Sequence, residues 1–387
     1  MAITFSGATI SGGVGLSGPP LTYLYAWGAG ASAGLNTSVS FSSPTQVGTA
    51  VLNDWTVVSG AGGTSGTGIV AGVRGDGTLW SWGTGNFYGT AFNDRNFRSS
   101  PTQVGTLTTW LSAYGAYVNG FAVKTDGTLW GWGANASGQL GQNNVIARSS
   151  PVQIGGLTNW TGKIAGGAGS NAVVAVKSDG TLWSWGYGGS GIGLGDYISR
   201  SSPTQVGSGT TWLNAWGTAY TFFMTKTDGT LWVFGGGGFG QTGLNGNPPG
   251  SPNSPVQVGT LTNWSSAASS QYQGFLLRND GTIWSMGNNT TTQSGATGQN
   301  NSGTTTNLSS PTQIGSLTTW TSIGNFIAGG IATRSDNTIW AWGQNNGMLG
   351  DGTVIARSSP VQVNGGATWT NSTVFAGGDT SFIIQLR

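Results

Sequence analysis

The chain of 387 residues departs far from average composition, with 72 Gly, 19 Trp, 6% charged residues, a formal charge of +2, and neither Cys nor His; Glu is absent too. Those absences remove disulfides, thiolate chemistry, Cys or His metal sites and His-based general-base catalysis. No run of basic residues is present to neutralise phosphates, and no stretch of about 18 apolar residues to span a membrane, so neither nucleic acid nor a bilayer core is an expected partner.

In chain order, residues 1–20 stand apart from the rest of the chain. AITFSGATISGGVGLSGPP carries no basic leader and no unbroken apolar core, so it does not read as a secretory signal. Its weak alternation marks it as an N-terminal docking arm with Ile3, Phe5 and Ile10 as apolar anchors, able to add a strand to another subunit or protein. Residues 21–387 read as one domain built from a repeat, and a fixed period overrides the domain count that length alone suggests.

The repeat opens with a fragment, YLYAWG at Tyr23–Gly28, the second half of a hairpin without its first. SSPTQVG comes next at Ser42 and recurs at Ser99, Ser149, Ser201, Ser309 and Ser358, with NSPVQVG at Asn253. A lone tryptophan stands several residues after each copy: Trp55, Trp110, Trp160, Trp212, Trp264, Trp320 and Trp369. Then comes DGTLWSWG at Asp76–Gly83, with copies starting at Asp126, Asp179, Asp228, Asp280 and Asp336. Asp-Gly between two strand-like runs predicts a tight hairpin needing positive φ. The final SFIIQLR matches the strand before each Asp-Gly, so the C-terminal strand is expected to pair beside the N-terminal one and complete a blade from both ends of the chain.

These elements give an all-β fold, a seven-bladed β-propeller closed by its N- and C-terminal strands. The stretch WGANASGQLGQNNVIARSSPVQIGGLTNW, Trp132–Trp160, together with AGGAGSNAVVAVKSDGTLWSWG after it, resembles one unit of the regulator-of-chromosome-condensation repeat family in its ordered WG, N, GQLG, P..V and DG. The resemblance runs over about residues 21 to 387 and implies the seven-bladed fold. The His that the family often carries in its Gly-rich turn is missing here.

Residues two apart on a strand share a face, so Trp80 and Trp82 and their equivalents lie in one layer with the lone tryptophans. A fold of this kind buries them, each worth on the order of 4 to 6 kcal/mol, so the tryptophans read as core and not as a sugar-stacking surface. Arg74, Lys124, Lys177, Lys226, Arg278, Arg334 and Arg387 occupy one strand position per blade, and Arg98, Arg148, Arg200 and Arg357 precede the SSP element. The acids outside the hairpins, Asp54, Asp94, Asp196, Asp351 and Asp379, are scattered among blades without a distinctive motif. A paired-carboxylate site is therefore not expected, and no catalytic, cofactor-binding or metal-binding residue is assigned; the chain is read as a non-enzyme.

Variation concentrates in the loops between the WG strand and the SSP element. The loop at 84–98 is the richest in contact-forming side chains, and Phe87, Tyr88, Phe92, Asp94, Arg95 and Phe97 are the candidate interaction residues. The sparse charge, the absence of Cys and an N-terminal segment resembling those of tailed-phage structural proteins point to a virion component on a tail, fibre or capsid surface. Its expected partners are other structural proteins or copies of itself through the arm, and a host-surface receptor. The alternative reading is a bacterial protein-binding propeller of inhibitor or adhesin type, secreted or cytoplasmic.

Overall fold

The computed structural model describes residues 22–386 apart from 29–32, 38, 49–53, 63–67, 86–87, 117, 167–170, 218–219, 246–250, 270–271, 290–296, 301–306, 327, 364–368, 370–371 and 378–379. The proposed arm, with Ile3, Phe5 and Ile10, lies outside the described residues. Among the described residues, twenty-eight strands form seven four-stranded antiparallel sheets. Strands β1 (Thr22–Gly28) and β2 (Phe41–Gln46) come first, then blade 1 with β3 (Trp55–Gly62), β4 (Gly68–Arg74), β5 (Leu79–Gly83) and β6 (Arg98–Gln103). Blades 2 to 6, β7 to β26, occupy 110–153, 160–205, 212–257, 264–313 and 320–362 in the same order. Last come β27 (Thr373–Gly377) and β28 (Thr380–Leu386).

The closing blade has the order β2-β1-β28-β27, two strands from each end of the chain. β1 and β28 pair over seven consecutive positions, from Thr22 opposite Leu386 to Gly28 opposite Thr380. First strands of successive blades touch in unbroken sequence, β3 to β7, β11, β15, β19, β23, β27 and back to β3. The ring is therefore shut, with the first strand of each blade innermost, a short edge protected by its place inside the ring. The closing register places Gln385 opposite Tyr23, where Arg74 faces Thr78 in blade 1. The sequence expectation put Arg387 at that strand position; it is two residues further along the chain and outside the described residues, because the match of SFIIQLR to its relatives slips by one alternation.

Each seam between blades has its own apolar core. In the first, Trp55, Trp80 and Trp82 of blade 1 pack on Leu24 and Ala26 of the closing blade. In the last, Tyr25, Trp27 and Trp369 pack on Phe326, Ile331 and Ile339 of blade 6. Trp55 meets Trp80 and Trp82 edge-on at 6.1 and 5.8 Å between ring centroids, the expected shared layer.

The Asp-Gly hairpin uses positive φ at only one of its two central residues. Gly77 N donates to Arg74 O at 2.9 Å and Gly77 alone is left-handed, at φ 76°, the three-residue hairpin in which a glycine bulge succeeds a turn. The recurring pattern DGTxW is a relay: Asp76 Oδ1 accepts from Thr78 N and Thr78 Oγ1, and the same hydroxyl accepts from Trp80 Nε1 at 2.8 Å. Blades 2 to 6 repeat it through Asp126, Asp179, Asp228, Asp280 and Asp336. At the end of the neighbouring strand a cation lies over the indoles, as with Lys124 Nζ at 3.8 Å from Trp130 and 5.1 Å from Trp110.

Candidate interaction face

Antiparallel order puts the Asp-Gly hairpins on one side of the ring and the long loops after each third strand on the other. Each long loop reaches across a seam. A residue with left-handed backbone donates its N–H to the first serine of the next blade's outer strand, as Asn93 does to Ser149 O at 2.9 Å and Asn143 to Ser201 O at 2.7 Å. Gly352 does so to Ser42 O at 3.0 Å across the closing seam. A second tie runs nearer the core: Trp132 Nε1 donates to Gly89 O at 2.8 Å, Trp185 Nε1 to Gln139 O at 2.9 Å, and Trp27 Nε1 to Met348 O at 2.7 Å. These bonds fix the described loop bases to the scaffold.

Within the loop at 84–98 most of the candidate residues hold the loop itself. Arg98 clasps Asp94 with two hydrogen bonds of 2.9 Å and stacks its guanidinium 3.9 Å from the Phe92 ring. The Arg98 guanidinium, and after it the Asn96 N–H, holds the Asp94 carboxyl well below the usual carboxylate range. Phe92 packs against the seam core of Trp110 and Trp132. Arg95 lies over the Tyr88 ring at 4.9 Å. Phe97, at 47% exposure, is the outward apolar residue of the set, and Phe87 lies outside the described residues. The structure thus brings Tyr88, Phe92, Asp94 and Arg95 together but as a braced loop, with Arg95 and Phe97 at its surface.

The same clasp recurs. Asp196 is held low by the Ile198 N–H and by Arg200, whose Nη2 lies 2.7 Å away. Asp351 is lowered against the opposing effect of its burial by the Thr353 hydroxyl and N–H and by Arg357 at 3.0 Å. Asn345 organises that loop, its Nδ2 donating to Ile355 O at 3.0 Å and its Oδ1 accepting from Gly347 N at 2.9 Å, and Asn135 plays the same part in blade 2.

An apolar rim, absent from the residues singled out by sequence, also lines this side. Directly before the SSP element, the long loops present Val39, Val145, Ile146, Tyr197, Ile198, Val354 and Ile355 at 54 to 70% exposure. The signal lay in VIAR at 145–148 and again at 354–357, aliphatic pairs inside otherwise polar loops. Because these residues sit at equivalent places in the closing blade and blades 2, 3 and 6, they form a discontinuous belt on the long-loop side. Among the described residues, no group of three or more His, Cys, Asp or Glu side chains could hold a metal ion.

Comparisons with known proteins agree with this architecture. The family model of the Regulator of chromosome condensation (RCC1) repeat matches residues 126–174, from the hairpin of blade 2 into the second strand of blade 3. No curated protein sequence matches the chain. Human WBSCR16 superposes with a TM-score of 0.80 at 16% identity, over 95% of this chain and 99% of that one. Prp20p from Saccharomyces cerevisiae, described with its binding to Gsp1p and histones, gives 0.78 at 17% identity over 95% and 92%. Yeast RCC1 (Prp20) in complex with Kap60 gives 0.78 at 16% identity over 100% and 97%. At such identities the likeness is one of fold. The chain is an all-β propeller of RCC1-like architecture, and it carries a recognisable RCC1 repeat at 126–174.

Proposed function

We propose that this chain is a non-catalytic binding scaffold that engages a partner protein through its long-loop side. The observation that carries the reading is the apolar belt, in which Ile146, Ile198 and Ile355 stand 59 to 62% exposed. The nearby charges on Asp94, Asp196 and Asp351 are spent within their own loops. Repeated exposed aliphatics on a rigid ring suit an interface, where apolar residues supply affinity and a polar surround keeps register. The yeast relative of similar fold, described as binding Gsp1p and histones, is consistent with protein partners for such a propeller.

The setting we propose is the surface of a tailed-phage particle. Support comes from the sparse charge and absence of Cys and from the segment at 1–20, which would dock the ring while the loops face outward. Purified particles probed with an antibody to the propeller test this directly. The chain is expected to sediment with the particle, and the triple variant Ile146→Asp, Ile198→Asp, Ile355→Asp is expected to fold yet lose its partner at least tenfold. A chain found only as a free monomer would overturn the particle setting. A triple variant that binds as the parent does would overturn the belt as the interface.

A further inference from the structure

Arg148 breaks the rule that its counterparts obey. Arg98, Arg200 and Arg357 each pair with a carboxylate, supplied four residues earlier by Asp94 and Asp196 or six residues earlier by Asp351. In blade 2 both of those places hold amides, Asn144 and Gln142. Arg148 accordingly makes no ion pair among the described residues, and its Nε donates to the neutral Gln142 Oε1 at 2.8 Å. A half-buried guanidinium held by one amide keeps most of its five donors and its full charge for an external group.

The same arginine lines a groove of ≈500 Å³ at the seam between blades 2 and 3, within the size range of small-molecule sites. Gln153 and Ser202 line it from opposite blades, and Leu157 adds an apolar patch. Gln153 Nε2 is engaged with Gly155 O at 3.1 Å, which leaves its Oε1 as an acceptor for a ligand. A planar fork for a carboxylate, the Gln153 amide oxygen and the Ser202 hydroxyl, which donates to Asn143 Oδ1 at 3.4 Å and so faces a ligand as an acceptor, and a small apolar wall together match a hydroxyl-bearing ring that carries an acid. We propose that this groove binds an acidic saccharide, with Arg148 on the sugar carboxylate. The groove lies at the seam between blades 2 and 3 and adjoins the belt, because Asn144 in its wall holds the Ile146 N–H at 2.9 Å.

The repeat itself supplies the test. Asn144→Asp installs the carboxylate that blades 1 and 3 already carry. It should fold, because Asn144 Oδ1 accepts from Ile146 N at 2.9 Å just as Asp196 Oδ1 accepts from Ile198 N at 3.0 Å. The full chain would be titrated calorimetrically with trigalacturonate, with neutral maltotriose, and with succinate as a carboxylate without a sugar. Trigalacturonate is expected to bind at least tenfold more tightly than either control, and Asn144→Asp and Arg148→Gln should each weaken it at least tenfold with unchanged thermal unfolding. Failure of trigalacturonate to bind, or binding indifferent to both substitutions, would overturn the site. Equal binding of succinate or of maltotriose would overturn the ligand class.

Discussion

Thr128→Val probes the relay that recurs in six blades at almost no cost in shape. The Thr128 hydroxyl is the hinge of the unit: it donates to Asp126 Oδ1 at 2.6 Å and accepts from Trp130 Nε1 at 2.9 Å. Valine keeps the volume and removes both bonds. The indole N–H is half-buried and regains water only in part, so the loss should be about 1 to 1.5 kcal/mol, while Thr128→Ser, which keeps the hydroxyl, should lose less. A second readout separates this from a general packing defect. The Thr128 hydroxyl is the largest contributor holding the Asp126 carboxyl below its usual value, with the Thr128 N–H second. Removing it should raise the Asp126 pKa, whereas serine should leave it low. A carboxyl depressed in the folded state stabilises above its unfolded pKa and ceases to do so as pH falls through the folded pKa, so the valine penalty should be full at neutral pH and shrink in acid. Urea unfolding at two pH values, with carboxyl NMR titration, checks both. A valine variant as stable as the parent, or an unmoved Asp126, would refute the relay.

Gly133→Ala should cost about 3 kcal/mol or more, because φ is 102° there and a Cβ would stand 2.2 Å from Val118 O. Gly155→Ala, with φ 58° and nothing within 4 Å, should cost about 1 kcal/mol or less; comparable losses in urea would refute the close-approach argument. With no His or Glu to titrate and the hairpin aspartates all held low, for instance by Thr181 at Asp179 and Thr230 at Asp228, the melting temperature should be flat from about pH 5 to 8 and fall below about pH 4. A transition near pH 6.5 in a thermal scan would contradict this. Tyr114→Phe removes a hydroxyl that bonds Gly166 O of the next innermost strand at 3.0 Å and should cost about 1 kcal/mol by the same unfolding assay.

Much of the ring was legible because the repeat puts the same side chain in the same physical role each time. The WG glycine is an example: Gly28, Gly83, Gly133, Gly186, Gly235, Gly287 and Gly343 all have φ between 96° and 110°, a backbone state that side chains rarely share. Closure was legible from the split hairpin, Tyr23–Gly28 without its partner. Features that depend on three-dimensional partners were not legible. Phe92 and Asp94 read as contact residues, and the sequence did not show that Arg98 engages both within their own loop. The unpaired state of Arg148 becomes visible only when its loop is laid over those of Arg98 and Arg200. The slip at Arg387 arose because the terminal strand has no Asp-Gly turn to anchor its register.

Cross-linking the two ends of the chain tests ring closure most directly. Tyr23 and Gln385 stand opposite one another on β1 and β28, within the Cα separation a disulfide spans, and the chain has no cysteine of its own. The double variant Tyr23→Cys, Gln385→Cys should form an intramolecular disulfide quantitatively on mild oxidation, identified by peptide mass mapping, and should resist urea better than its reduced form. Thiols that stay free, or that join only between molecules, would show that the termini do not meet.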